Sequence, residues 1–305
     1  MSESQFVALQ NDLFTHVGQG KYDDAHLIID TVQRAFPQRK EKTYFWRTCV
    51  YALQNKIDEA MTVLRDALQE GIWWNPQRLI QDPDLTILQT NDHFKKIVDE
   101  CQRILDQANN ESTSKLFTYG KNTSEIGLFT LHWRGSNVND FAPYFFSDDL
   151  LNKYHFGFPQ SSQVFEYNAY CWDDPSIAMK DVHETFKTFN ENSKDVIIAG
   201  ASQGGKLAME LSLSNQVMDT KGFIAVIPAI QQLESFKKML QNNDHIRGCI
   251  ITGDQDPFYE KTMELVALFE ERNFPYKLIV NEGLGHFFPE NFTDQLEEAI
   301  EFIVS

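Results

Sequence analysis

Gly200-Ala201-Ser202-Gln203-Gly204 places one hydroxyl between two glycines, directly after the apolar run Val196–Ala199 and directly before a stretch with helical spacing. This is the pattern of a nucleophile elbow, in which a strand, a sharp turn and a helix carry a serine at the tip. Glycine is favoured on either side because a side chain there would collide with the neighbouring strand or helix. The amino end of the helix favours the negative charge that develops when a serine attacks a carbonyl. A serine hydroxyl is a weak nucleophile until a base takes its proton, and the base needs an acid to orient it. Candidates for both lie downstream, in the order serine, acid, histidine. The run "GCIITGDQDPFYE" ends a strand with Asp254 and Asp256, and "KLIVNEGLGHFFPE" ends another with His286 in a glycine-rich loop. Asp256 is taken as the orienting acid and Asp254 as a turn residue that accepts backbone hydrogen bonds. His132 also stands near a strand end, but upstream of the serine; the other histidines, His245 among them, fall in helical or connecting segments.

Strands and helices must bring these residues together. From about Leu116 onward, short apolar runs alternate with helical stretches. "IGLFTLHW", "QVFEYNAY", "DVIIAG", "GFIAVIPA", "RGCIITG" and "YKLIVNEG" read as strands; Pro175–Glu191 and Tyr259–Asn273 read as helices. That alternation predicts a mostly parallel sheet with helices on both faces, functional residues standing at the carboxyl ends of its strands. Up to about Asn110 the apolar spacing is helical instead. "GKYDDAHLIIDTV" and "NKIDEAMTVLRDAL" read as two copies of one unit, Tyr22 aligning with Ile57 and Ala25 with Ala60, close to the period of tetratricopeptide helix pairs. Two copies are too few to bury a core alone, so Trp73 and Trp74 are expected to pack on neighbouring helices or on the second domain. The polar stretch Gln107–Ser114 is read as the linker. The expected division is therefore 1–110, an all-α tetratricopeptide-like domain, and 115–305, an α/β domain.

Bulk properties exclude several functions. The chain has 305 residues and a net charge of −17. Residues 1–112 carry 12 basic and 17 acidic residues, and the remainder 15 and 27, so neither half offers the basic surface that nucleic acid or an anionic membrane requires. Cys49, Cys101, Cys171 and Cys249 lie far apart, which argues against a zinc site or a disulfide framework and for scattered buried thiols. The first residues lack a basic region followed by an apolar run, and no stretch approaches a membrane span. A cytoplasmic location is the expectation.

The motifs Gly200-Ala201-Ser202-Gln203-Gly204-Gly205, Gly253-Asp254-Gln255-Asp256-Pro257 and Gly283-Leu284-Gly285-His286 resemble those of the serine α/β-hydrolases. They look most like the carboxylesterase/phospholipase branch that includes acyl-protein thioesterases. The resemblance covers about residues 115–305 and does not include the helical region. It implies an α/β-hydrolase fold, and its Gly-x-x-Asp pattern supports Asp256 as the acid. It also implies an oxyanion hole made by two backbone N–H groups, one from Gln203 and one from the loop after an early strand. There "His132-Trp133-Arg134-Gly135" stands where the family has His-Gly-x-Gly, so Arg134 supplies the second N–H by position, while Trp133 departs from the pattern.

The expected activity is hydrolysis of a small-molecule carboxylic ester or thioester through an acyl-enzyme on Ser202, without metal or organic cofactor. Two alternatives stand beside it: an interaction protein that binds a partner protein through its helical region, and a serine peptidase. The helical region is expected either to border the active-site rim or to bind such a partner. The rings of Phe141, Tyr144, Phe145, Phe146, Tyr154, Phe156 and Phe158 are expected to line a pocket or lid, or to fill the core. Asp173 and Asp174 are expected to cap the next helix.

Overall fold

A computed structural model describes residues 3–190, 194–214, 219–240 and 246–305. Glu191, at the end of an expected helix, and His245 lie outside the described residues. The chain divides into two units, one of 1–111 with 165–167 and one of 112–164 with 168–305.

Residues 3–111 of the first unit form helices. α1 (Glu3–Gly18), α2 (Tyr22–Ala35), α3 (Lys40–Leu53) and α4 (Ile57–Gln69) follow one another, and each packs on the next. The two sequence copies coincide with α2 and α4. Their aligned alanines, Ala25 and Ala60, are fully buried. Each helix is preceded by a residue at positive φ, Gly20 at 70° and Asn55 at 61°, so the turn as well as the helix repeats. α5 (Pro76–Gln81) and α6 (Asp92–Glu111) complete the unit. α6 takes in Gln107–Glu111, part of the stretch whose polar composition reads as linker; Gln107 instead donates to Glu111 one helical turn on. Trp73 and Trp74 are buried, and the Trp74 ring lies 5.9 Å from that of Phe45 while its Nε1 donates to the Glu41 carbonyl.

The second unit is built on a seven-stranded sheet. β1 (Lys115–Gly120), β2 (Ile126–Leu131), β3 (His155–Gln160), β6 (Asp195–Ala201), β7 (Gly222–Val226), β8 (Arg247–Gly253) and β9 (Tyr276–Asn281) lie in the order β1-β3-β2-β6-β7-β8-β9. Only β1 runs antiparallel to its neighbour. The helices are α7 (Val138–Phe141), α8 (Asp148–Lys153), α9 (Pro175–Asn190), α10 (Gln203–Leu213), α11 (Glu234–Met239), α12 (Tyr259–Glu271) and α13 (Phe292–Val304). Strand periodicity explains why they cover both faces. On β6, Ile197, Ala199 and Ala201 point into a core with Leu296, Ala299 and Ile300 of α13, while Val196 and Ile198 point the other way, onto Val182 of α9 and Ala208 of α10.

Two expectations are corrected. "QVFEYNAY" is not a strand of the main sheet: β4 (Val164–Glu166) and β5 (Ala169–Tyr170) are short, with Asn168 at φ 51° between them. β1 and β3 lie outside the runs whose apolar pattern reads as strand. β3, His155-Phe156-Gly157-Phe158-Pro159-Gln160, is buried throughout, so it shows no alternation, and its glycine and proline disguise it. Gly157 is required there because a Cβ would run into the Phe189 ring. The ring-rich segment fills the core: Phe141, Phe145, Phe156 and Phe158 are fully buried, and Tyr154 nearly so.

Candidate active site

β6 delivers Ser202 into a tight turn. Its backbone sits at φ 52°, ψ −115°, a conformation that a residue with a Cβ adopts only under strain. Neighbouring chain holds it there: Ser202 N donates to the Val226 carbonyl at 2.9 Å, and the Ser202 carbonyl accepts from Ala229 N at 3.0 Å. The flanking glycines are steric necessities. A Cβ on Gly200 would strike the Gly204 carbonyl, and one on Gly204 would strike the carbonyls of Leu131 and His132. The second clash shows how closely the end of β2 lies against the start of α10.

Ser202 Oγ stands 2.8 Å from His286 Nε2, and His286 Nδ1 stands 2.8 Å from Asp256 Oδ2. The Asp256 side chain is 1% exposed, that of His286 31%. Asp256 is also fixed from behind, its Oδ1 accepting from Phe258 N at 2.7 Å. Asp254 lies apart from this chain. Its Oδ1 accepts from Gly283 N at 2.7 Å and so ties the turn after β8 to the loop that carries His286. Gly253 lets the two segments touch, since a Cβ there would strike Leu284. The Phe258 ring lies 5.3 Å from the His286 ring.

The loop after β2 holds Arg134, and Gln203 opens α10. Gly135 sits at φ 73°, donates to the Tyr170 carbonyl at 2.8 Å, and turns the loop as only glycine does easily. Trp133, where the resembling family has glycine, is swung into a cluster with Phe141, Tyr144, Phe287 and Phe288, ring centres 5.3 to 5.8 Å away. His132 is fully buried, which pushes its pKa down to about 4. It is therefore neutral, with Nδ1 donating to the Trp133 carbonyl at 2.9 Å.

The paired acids divide their tasks. Asp174 caps α9, its Oδ1 accepting from Ser176 N at 2.8 Å and Ile177 N at 3.2 Å. Asp173 does not cap. Its carboxylate takes Arg134 Nε at 2.8 Å, Arg134 Nη2 at 2.7 Å and Gln203 Nε2 at 2.8 Å. Sequence reasoning missed this role because the three residues are remote in the chain and only the loop after β5 brings Asp173 to the others. A cleft of about 590 Å³ opens beside them, walled by Trp172, Met179, Leu207 and Leu211.

All four cysteines are buried, and burial raises their thiol pKa values, to about 12 for Cys171 and Cys249 and about 11 for Cys101. In the helical unit Cys49, Asp82 and Asp84 hold potential ligand atoms within 4.8 Å of one another. Burial raises the pKa of Cys49 and of Asp84, and Asp82 accepts from Asp84 N.

Residues 5–109 match a family model described as the N-terminal domain of A/B hydrolase-like proteins. Among solved structures, the chain is similar to an uncharacterized protein from Bacillus cereus ATCC 10987 at 24% identity and a TM-score of 0.55, covering 98% of this chain and 99% of that one. The second unit has the α/β-hydrolase fold. A phospholipase/carboxylesterase from Dyadobacter fermentans DSM 18053 is 19% identical over 64% of this chain and 98% of its own, with a TM-score of 0.47. The S-formylglutathione hydrolase of Staphylococcus aureus is 12% identical over 64% and 98%, also with a TM-score of 0.47. No curated protein matches the sequence.

Proposed function

We propose that this α/β-hydrolase-fold chain is a serine hydrolase that cleaves carboxylic esters or thioesters through an acyl-enzyme. The observation that carries this reading is the continuous hydrogen-bonded chain from Asp256 through His286 to Ser202, both links 2.8 Å long, with the serine at a strained elbow. His286 Nε2 takes the hydroxyl proton as Ser202 Oγ attacks the carbonyl carbon. Asp256 holds the imidazole with Nδ1 protonated, so Nε2 is the basic nitrogen, and it stabilises the imidazolium that forms. The oxyanion is stabilised by backbone N–H groups of Gln203 and Arg134, aided by the amino end of α10. His286 then protonates the leaving oxygen or sulfur, and the ester to Ser202 remains. Water, deprotonated by the same nitrogen, releases the acid and regenerates the serine. No step calls on a metal or an organic cofactor.

Labelling with a fluorophosphonate tests the nucleophile. The wild-type chain should be labelled at Ser202, and Ser202→Ala should be neither labelled nor active on any member of a panel of esters, thioesters and lactones. Equal labelling of Ser202→Ala would overturn the assignment. Turnover of peptides with no turnover of esters would favour the peptidase reading instead.

A further inference from the structure

Resting on the serine-hydrolase reading above, we propose that Asp173 is a positioning residue for the oxyanion hole: one carboxylate that ties the Arg134 loop to Gln203, the two residues whose amides receive the developing charge. Arg134 reaches it with two nitrogens, Nε and Nη2, at 2.8 and 2.7 Å, and Gln203 Nε2 reaches it at 2.8 Å. The forked guanidinium contact fixes orientation as well as distance. The circuit closes on the far side. Gln203 Oε1 accepts from Trp172 N at 2.9 Å, and Trp172 Nε1 donates to the His132 carbonyl at 3.0 Å. Residues 132–134, 172–173 and 203 thus come from three separate elements and hold one another through side chains.

The arrangement is poorly explained as a stabilising device. The Arg134 and Asp173 side chains are 49% and 42% exposed, and exposed pairs contribute little to folding. Its value lies in placement. An oxyanion hole works only if its donors stand where charge develops, and small errors are costly. At this loop Trp133 packs on Phe287 and Phe288, and the adjacent Arg134 needs an anchor of its own. Asp173 supplies it. The Arg134 and Gln203 hydrogen bonds also hold the Asp173 carboxyl below its usual pKa, Arg134 first, so the anchor is ionised at neutral pH.

Steady-state kinetics on a p-nitrophenyl ester, together with the rate of fluorophosphonate labelling, test the assignment. Asp173→Asn should lower kcat and the labelling rate about tenfold or more, with KM within about threefold, because the donors matter most in the transition state. Its thermal midpoint should stay within about 3 °C of wild type. Asp173→Glu should recover part of kcat. Arg134→Gln keeps the backbone N–H but removes the ion pair; it should lower kcat similarly, and the double variant should be little worse than either single one. If Asp173→Asn fails to fold, Arg134→Gln decides alone. A labelled wild type whose Asp173→Asn variant keeps kcat within about twofold, or additive losses in the double variant, overturn the positioning role and leave the hydrolase reading intact. A wild type that is neither labelled nor active overturns that reading, and the positioning role with it.

Discussion

Two aspartates stand two positions apart after β8, and their environments assign them opposite tasks. Asp256 is buried and bonded to His286 Nδ1, whereas Asp254 binds only backbone at the neighbouring loop. Asp256→Asn should therefore present an amide to Nδ1, destabilise the productive tautomer and lower kcat by about 10³- to 10⁴-fold. Asp254→Asn retains an acceptor for Gly283 N, so its kcat should fall less than about tenfold. Kinetics of both variants on one ester check this, and a greater loss in Asp254→Asn would reverse the assignment. His286→Ala should remove nearly all turnover while the chain stays folded, because the proposed mechanism needs its Nε2 as the base.

The elbow depends on contact between β2 and α10. Gly204 is where the helix rests on the Leu131 and His132 carbonyls. Gly204→Ala would drive a methyl group into backbone that no rotamer change can relieve. It should cost about 1 to 3 kcal/mol in urea unfolding. It should also slow Ser202 labelling, because the displaced α10 carries Gln203. Gly283 makes a useful control: it sits at φ 73° with open space around its Cβ, so Gly283→Ala carries only conformational strain. If Gly204→Ala unfolds at the same urea concentration as wild type, the close packing of the elbow is refuted.

His132 links the site to the stability of the whole second unit. Its pKa, lowered to about 4 from 6.5, means that the unfolded chain binds a proton which the folded chain refuses. The stability contributed by burying the neutral imidazole is thus fully present above about pH 6.5 and is lost as the pH falls toward 4. The slope rises from about 0.7 kcal/mol per pH unit at pH 6.5 to about 1.2 near pH 5, so about 1.6 kcal/mol should disappear between pH 6.5 and 5. His132→Asn can still donate to the Trp133 carbonyl but does not titrate. Urea unfolding at the two pH values should show a shallower loss in that variant, and an identical loss in both would refute the assignment. With a net charge of −17, the chain is also self-repelling at neutral pH.

Much of this was legible in the chain itself. Ser202, Asp256 and His286 each sit in a local pattern, a turn at the carboxyl end of a strand, and local steric rules determine such patterns. The parallel sheet followed from apolar runs alternating with helices, and the repeat of α2 and α4 from matching residues. β3 was not legible, because a strand buried on both faces loses its period, nor was the helical end of α6, where polar side chains pair with one another. Trp133 and Asp173 were decided only by tertiary structure. Whether Trp133 crowds the loop after β2 or swings into the Phe287–Phe288 cluster depends on what stands across the space. Whether an aspartate caps a helix or holds an arginine 39 positions away depends on where the connecting loop carries it. A sequence determines local geometry through sterics and periodicity, whereas contacts between distant segments exist only once packing has chosen which segments meet.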